Sequence, residues 1–326
     1  MTVNARHLRL TDLPVLAFHS RRVYPNQAVT LEHAGAPGSA RPGLWQTLRT
    51  AVWPSHRRRI WISRDGSTLL GVIALRRRTS RSAWEIDTLI TTTSNDALLL
   101  DLLDRAVATA GADGAHRLFL RLAADSPALP VAQSHGFISI TPETLYATPL
   151  SEPLRAPAAA SPAARRRTRA DDHDLFRLYC QVTPHEARWQ TALSPAEWRA
   201  AQEPLGRHGK EWVLPTHPDA SGISLGAMAR LAGHRDAPTI ALLAHDSDDA
   251  ARTALDTALA AAHAAGDQPV ILLVPEYATA AHRAAEQWGM HAIGETVMLV
   301  RPIAQRVRRL EVADQAVEGS ARSVVS

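Results

Sequence analysis

Two carboxylates in a largely apolar stretch are the first residues of this sequence that could do chemistry. Glu85 and Asp87 lie two residues apart within Ala83–Ile90, where the pattern alternates with period two. That alternation is typical of a half-buried strand, and residues two apart share one face of a strand. Two like charges held side by side repel each other, which favours proton uptake by one of them, so either residue could act as a general base. The alternative is a solvated strand face.

A run of hydroxyl and amide side chains follows that stretch. It comprises Thr91, Thr92, Thr93, Ser94 and Asn95, and apolar residues then recur at helical spacing. A helix start gathers free N–H groups and the positive end of the helix dipole, which together favour an anion. The hydroxyl groups could help to hold a phosphate there. The alternative is a plain polar segment that caps the helix.

Both groups belong to a longer series of predicted elements. The pattern predicts a strand at 83–90, a helix at 98–110, a strand at 117–122, a short helix at 128–134 and a further strand that opens with Gly136-Phe137. Ahead of this series, Asp65-Gly66 separates two alternating apolar runs. An Asp-Gly pair in that position predicts a tight β-hairpin, since both central residues of the turn need positive φ.

The second half of the chain repeats this order. Three landmarks pair the halves at a nearly constant separation: Gly71 with Gly226, Asn95 with Asp248, and Gly136 with Gly289. A repeat of this length indicates a duplicated domain. Each half is predicted to end in two short closing strands, at 137–140 and 144–148 in the first half and at 291–293 and 296–300 in the second.

Interruptions in the pattern suggest where the domains begin and end. Residues 151–169 are rich in proline, alanine and arginine, which is unsuited to a core segment. We therefore expect an N-terminal domain at 1–150, a linker at 151–169, a C-terminal domain at 170–303 and a disordered tail at 304–326.

Composition narrows the class of protein. The chain has 326 residues, a formal net charge of +4 and one cysteine, Cys180. A single cysteine forms no intrachain disulfide, and no apolar run approaches the ~18 residues of a membrane span. We therefore expect a cytoplasmic protein without a membrane partner. The histidines lack metal-ligand spacing, so no metal is expected. Arginine runs such as Arg76–Arg78 lack interleaved aromatic residues, so a nucleic-acid partner is not expected.

The order strand, long helix, strand, short helix, Gly-Phe resembles the central core of the GNAT acyltransferase superfamily. The wider order of elements fits the same pattern over nearly all of the chain outside the linker and tail. The resemblance implies an α/β fold of two GNAT-like domains in tandem, each a mixed, mostly antiparallel sheet flanked by helices. It also implies an acyl-CoA-dependent N-acyltransferase that uses acetyl-CoA, with a small-molecule or peptide amine as acceptor.

The resemblance assigns roles to particular residues. In that family the strand matching 83–90 splays from the next strand, and the pantetheine arm of acyl-CoA pairs with its free edge. The pyrophosphate then sits at the start of the following helix. The implied cofactor-binding residues are Leu89, Ile90, Thr91, Thr92, Thr93, Ser94, Asn95 and Ser126.

The implied catalytic residues are Glu85 or Asp87 as the base and His135 as the group that protonates the leaving thiolate. The position of the family's tyrosine acid is held here by Ala132. A histidine on a short helix is more often structural, and that alternative stays open.

The family's phosphate-binding loop is altered in both halves. The first half has neither glycine nor a basic residue at 91–96, and the second half has three carboxylates, Asp246, Asp248 and Asp249. Carboxylates at a helix start repel a phosphate. We therefore expect any activity in the first half. The alternative functions are a catalytically inactive duplicate that binds a protein or another small ligand and, third, an arginine-mediated nucleic-acid binder.

Overall fold

The computed structural model describes residues 5–12, 25–34, 58–66, 68–93, 95–149, 164–216, 224–234, 237–266 and 269–304. Several sequence predictions fall on other residues. They include Ser94, most of the linker and all but the first residue of the predicted tail. None of the helices in the described ranges is long and apolar enough to cross a lipid bilayer.

The first half of the chain forms six strands and two α-helices within these ranges. They are β1 (Arg6–His7), β2 (Arg58–Asp65), β3 (Thr68–Arg77), β4 (Ala83–Thr91), α1 (Asp96–Ala112), β5 (Arg117–Ala123), α2 (Ala128–Ser134) and β6 (Ile138–Ala147). The predicted hairpin joins β2 and β3, and Gly66 in its turn has φ of +56°, which glycine adopts without strain.

Within the described ranges, the second half forms six strands and five α-helices. They are β7 (Arg165–Arg166), α3 (Asp172–Val182), α4 (His185–Thr191), α5 (Pro195–Ala201), β8 (Lys210–Pro215), β9 (Leu225–His234), β10 (Ala237–Ala244), α6 (Asp248–His263), β11 (Ile271–Pro275), α7 (Thr279–Gln287) and β12 (His291–Pro302).

Equivalent interactions confirm the internal repeat. Arg6 binds Asp12 in the first half, and Arg165 binds Asp171 in the second, each pair with a closest contact of 2.5 Å. One predicted match is shifted by a residue. Asn95 caps α1 and its counterpart ahead of α6 is Ser247 rather than Asp248, because the helix starts fix which residue occupies the N-cap position.

The strands form one twelve-stranded sheet in which the two halves exchange their last strands. The order is β1-β2-β3-β4-β5-β12-β6-β11-β10-β9-β8-β7. Strand β6 pairs with β11 of the second half, β12 pairs with β5 of the first, and β6 and β12 pair antiparallel at the centre. Each half therefore completes the sheet of the other. The domain boundaries expected from the sequence stay predictions.

The prediction of two closing strands in each half is wrong. Each half ends in one long strand, β6 or β12. The breaks expected after Ile140 and Ile293 are irregularities in pairing, where one extra residue bulges from an otherwise continuous strand. The strands continue through these points because β6 and β12 pair with each other before and after each bulge.

Two similar cores lie on the same side of the shared sheet. Helices α1 and α2 cover the first, where Leu102 and Leu103 are fully buried, and α6 and α7 cover the second, where Leu255 and Leu259 are fully buried. On the opposite face, α3 and α5 pack over a smaller core that includes Trp198. That opposite face holds the charged residues considered below.

The exchanged strands predict that both halves unfold together. Leu103→Ala and Leu259→Ala each remove a buried side chain from a different half, and each is expected to destabilise the protein by about 2–5 kcal/mol. Each variant should unfold in one transition with a lower urea midpoint than wild type. Circular dichroism and tryptophan fluorescence should give the same midpoint for each protein. Two separate transitions, with each variant moving only one of them, would contradict the prediction.

Candidate functional site

The sheet contains two openings between diverging parallel strands, one in each half. On β4 only Ala83 to Glu85 pair with β5, and on β10 only Thr239 to Ala241 pair with β11. Beyond those points the strands separate and leave N–H and C=O groups without a partner strand. An extended ligand can pair with such an edge. The splay that the resemblance implies is therefore confirmed.

Residues 26–29 of the chain itself fill the first opening. The Gln27 N–H donates to the Leu89 carbonyl at 2.8 Å, and the Val29 N–H donates to the Arg121 carbonyl at 2.9 Å. This segment therefore bonds to β4 on one side and to β5 on the other. It occupies the place where the resemblance puts the pantetheine arm.

Side chains of the same segment complete its attachment. The Asn26 side chain both donates to and accepts from the main chain of β4. Its Nδ2 donates to the Asp87 carbonyl at 3.0 Å, and its Oδ1 accepts the Leu89 N–H at 2.7 Å. Gln27 Nε2 donates to Thr91 Oγ1 at 2.9 Å, and Ser126 Oγ donates to Gln27 Oε1 at 3.4 Å. The segment belongs to a stretch rich in proline, glycine, histidine and alanine, 21–41, for which the sequence predicts a loop that could carry a short helix.

Part of the polar run before α1 forms hydrogen bonds within the chain. Thr92 Oγ1 donates to the carbonyl of Leu70 at 3.0 Å, and Asn95 Oδ1 accepts the N–H groups of Ala97 and Leu98. The capping interpretation is therefore confirmed for Asn95. Thr93 is exposed, and the roles of this run in binding a cofactor stay predictions.

Glu85 and Asp87 share one face of β4, as predicted, because Arg76 contacts both. The solvated-face alternative is wrong, since the two residues are only 2% and 9% exposed. Arg78 Nε binds Glu85 at 2.7 Å, and Arg58 Nη2 binds Asp87 at 3.2 Å. Arginines thus compensate both charges. The role of either carboxylate as a base stays a prediction.

The same face carries a buried ion-pair cluster that joins the two halves. Glu203, which follows α5, accepts two hydrogen bonds from Arg121 of β5, at 2.7 and 3.0 Å. Arg121 Nε also binds Glu143 of β6 at 2.6 Å. Burial opposes the charged form of Glu203, but Arg121 and Arg78 outweigh it and hold its pKa well below the usual range.

His135 lies apart from these carboxylates. It caps the end of α2, and its Nε2 is 2.7 Å from Asp104 Oδ1 of α1. Both helices pack on the face of β4 that carries Trp84, whereas Glu85 projects from the other face. The structure therefore does not bring the predicted base and acid together, and the pair with Asp104 favours a structural role for His135.

The second opening contains a cavity of about 250 Å³. It is lined by the end of β10 with the residues after it (Leu242–Asp246), by the end of β11 and the start of α7 (Pro275, Tyr277–Ala281) and by the end of α3 (Gln181, Val182). In the described part of the chain, no segment bonds across this opening as 26–29 does across the first. The acidic helix start leads to the expectation of activity in the first half, but it gives no information about the strand edges of the second half.

Two polar features flank this cavity. Burial raises the pKa of Tyr277 to about 12, and its side chain lies beside Thr183 and Glu143. At the start of α6, Arg283 binds Asp248 at 2.6 Å and Asp246 at 2.8 Å. The two carboxylates therefore already neutralise the guanidinium group of Arg283. This is the place where the resemblance would put a pyrophosphate.

The sequence matches no protein-family model and no curated protein. Several solved structures have a similar fold. One is a GCN5-related N-acetyltransferase (GNAT) from Sphaerobacter thermophilus, which is 15% identical over 94% of this chain and 97% of that chain, with a TM-score of 0.57. A tandem GNAT protein from the clavulanic acid biosynthesis pathway is 14% identical over 93% of this chain and 99% of that chain, with a TM-score of 0.53. The chain therefore has the GNAT fold.

Removing the buried carboxylate of Glu203 should destabilise the protein strongly. Glu203→Gln leaves Arg121 and Arg78 less compensated in the interior, and breaking a buried pair costs about 3–5 kcal/mol. Because the folded-state pKa of Glu203 lies below that of an unfolded glutamate, this stabilisation is complete above about pH 5 and is lost as the pH falls. Urea unfolding at neutral and acidic pH measures both effects.

Glu197→Gln is the matched control for that measurement. Glu197 pairs with Arg117 at 3.1 Å, but its side chain is 35% exposed, so its loss should cost about 0–1 kcal/mol. Equal losses of unfolding free energy for the two substitutions at neutral pH would contradict the stabilising role of the buried cluster.

Proposed function

We propose that this chain is an acyltransferase that binds acyl-CoA in the second opening, where an amine attacks the thioester carbonyl to give an amide and the free CoA thiol. The observation that carries the proposal is the cavity beside the diverging edge of β10, at the position that residues 26–29 fill in the first half. The GNAT fold, shared with an N-acetyltransferase, supports the same class of reaction. This proposal places the donor in the second half, whereas the sequence analysis favours activity in the first.

The edge of β10 suits an arm that contains amide groups. Past Ala241 the strand no longer pairs with β11, so main-chain groups from Leu242 to Ala244 face the cavity side. An extended chain with N–H and C=O groups, such as pantetheine, can pair with this edge in the manner of an added strand. Leucine and alanine side chains of β10 and α7 form an apolar part of the wall, and the polar part comprises Gln181, His245, Asp246 and Thr279.

Tyr277 is a side chain of this cavity wall that can donate a proton. With its pKa raised to about 12, the hydroxyl group is protonated at neutral pH. It can therefore donate a hydrogen bond or a proton to a sulfur anion that leaves the acyl group. The charge of Glu143, a residue of the first half, also disfavours the ionised form of Tyr277.

The acidic start of α6 favours a second candidate function. Asp246 and Asp248 share Arg283 and would repel a pyrophosphate there. The second candidate is a catalytically inactive protein whose second opening binds a small ligand without phosphate groups. Under the leading proposal, Asp246→Asn combined with Asp248→Asn should tighten binding of acetyl-CoA. Under the second candidate, acetyl-CoA does not bind.

A thermal-shift experiment with paired variants decides which opening binds acetyl-CoA. A ligand that binds only the native state stabilises it by about 2.7 kcal/mol at a hundred times its Kd, which raises the Tm by several degrees. Ala244→Phe fills the second opening at the end of β10. Thr91→Phe is the matched control, since it makes a similar change at the end of β4.

Wild type and Thr91→Phe should show the rise in Tm, and Ala244→Phe should not. A rise that survives Ala244→Phe and is lost with Thr91→Phe would assign the donor to the first opening instead. No rise in any of the three proteins at millimolar acetyl-CoA would overturn the transferase proposal.

The raised pKa of Tyr277 gives a prediction at alkaline pH. The folded protein holds this proton more tightly than the unfolded chain, whose tyrosines titrate near 10. The stabilisation is therefore complete below about pH 10 and is lost as the pH rises towards about 12. From about pH 9 to about pH 11.5, Tyr277→Phe should lose less unfolding free energy than wild type. Parallel pH profiles for the two proteins would contradict the assignment.

A further inference from the structure

We infer that a basic cavity at the C-terminal end of α6 binds an organic phosphate, a small molecule that carries a phosphate group on an apolar body. The cavity has a volume of about 710 Å³, which is within the usual range for small-molecule sites. It lies at the start of β10, whereas the second opening lies at the end of that strand, so the inference does not depend on the proposed function. The basic residues of its wall are Arg166, Arg207, His208 and Lys210.

Two of these basic side chains share the face of the sheet that α6 covers. Trp212 of β8 packs against the core beneath α6, and Lys210, two residues earlier on the strand, shares its face. Arg166 of β7 lies opposite Trp212 in the sheet, and its guanidinium carbon is 4.6 Å from the centre of the Trp212 ring. Stacking on the ring therefore holds the guanidinium group of Arg166 beside the cavity.

The carboxylate that neighbours Lys210 in the sequence lies on the other side of the sheet. Glu211 is on the opposite face of β8, where it binds Arg167 and Arg230. Among the described residues, no carboxylate lines the cavity, and none forms an ion pair with Arg166, Arg207 or Lys210. Several cations that converge without a counter-charge favour the binding of an anion.

The equivalent corner of the first half contains its own anion. There His7 of β1 stacks on Trp61 of β2, with 4.2 Å between the ring centres, and the two residues lie opposite each other as the stacked pair of the second half does. Arg59, two residues before the tryptophan, binds Asp113 at 3.1 Å at the end of α1. This position in the fold therefore accommodates a negative charge beside a basic side chain.

The described part of the second half has no carboxylate at that position. Counted from the N-cap residue of each helix, Ala265 corresponds to Asp113, and it lines the cavity. Lys210 corresponds to Arg59, since each lies two residues before the stacked tryptophan. Carbonyl groups at a helix end disfavour an anion, yet the pair of Arg59 with Asp113 forms at the same end of α1. An external anion can therefore bind Lys210 as Asp113 binds Arg59.

The chemistry of the wall defines the class of ligand. A phosphate ester carries about two negative charges at neutral pH, so it matches several cations better than a single carboxylate does. Guanidinium groups bind phosphate through two parallel N–H···O bonds. The remaining wall residues are glycine, alanine, leucine and proline, which suit an apolar body such as an aromatic ring.

Titration calorimetry with phenyl phosphate, benzoate and inorganic phosphate tests the inference. Phenyl phosphate should bind more tightly than benzoate, which has the same ring with one negative charge, and more tightly than inorganic phosphate, which lacks the ring. Lys210→Gln and Arg166→Gln should each weaken its binding at least about tenfold, because each removes a charged hydrogen-bond donor. Arg252→Gln makes the same change at the exposed start of α6 and should leave binding unchanged.

Ala265→Asp gives the second half the carboxylate that the first half has. It should abolish the binding of phenyl phosphate, because the new side chain can pair with Lys210. Ala265→Asn, which has nearly the same size without the charge, should retain binding. Ala265 is exposed, so both variants are expected to fold.

Absence of phenyl phosphate binding to wild type would overturn the inference. If Asp267→Ala then binds the ligand, the chain itself supplies the anion, from a residue outside the described ranges. Equal binding by wild type, Lys210→Gln and Ala265→Asp would also overturn it, because the ligand would then bind elsewhere. Equal affinities for phenyl phosphate and benzoate would overturn the assignment of a phosphate group, and equal affinities for phenyl phosphate and inorganic phosphate would overturn that of an apolar body.

Discussion

The pairing of β6 with β12 at the centre of the sheet is the constraint on which the rest of the structure depends. These strands come from different halves, and each is paired on its outer side with a strand of the other half. The exchange brings Arg121 of β5 next to Glu143 of β6, and Thr296 of β12 donates to the same carboxylate. Each of these charges would be costly to bury alone, so the exchanged strands and the ion pairs stabilise one another.

The two openings show how one topology can lead to two different sites. Diverging parallel strands leave main-chain groups that need hydrogen-bond partners. In the first half the chain provides them through Asn26 and Gln27, and arginines neutralise Glu85 behind them. In the second half the corresponding edge of β10 borders a cavity, and the β10 residues that line it, Leu242, Leu243 and Ala244, are apolar.

Much of the fold could be predicted from the sequence, because periodicity and turn residues are local signals. The alternating strand at 83–90, the capped helix after Asn95 and the hairpin at Gly66 all follow from such signals. The exchange of β6 and β12 could not be predicted in this way. An alternating strand specifies which face is buried, but it does not specify the strand with which it pairs.

The candidate site was harder to predict for a related reason. Placing Glu85 and Asp87 on one face required only the strand period, whereas their arginine partners come from neighbouring strands. The pairing of Arg76 with Glu85 across the β3–β4 hairpin was the signal available for this, since the two residues lie directly opposite each other. Closure of the first opening by 26–29 depends on a distant, irregular segment, and no local pattern records it.

Amide hydrogen exchange with and without acetyl-CoA is the most direct measurement of which opening receives the donor. Acetyl-CoA is expected to slow exchange in the peptide that contains Leu242–Asp246 and to leave exchange in the peptides at 26–31 and 87–92 unchanged. Slower exchange at 87–92 together with faster exchange at 26–31 would mean that the donor displaces the chain's own segment from the first opening, and it would contradict the account.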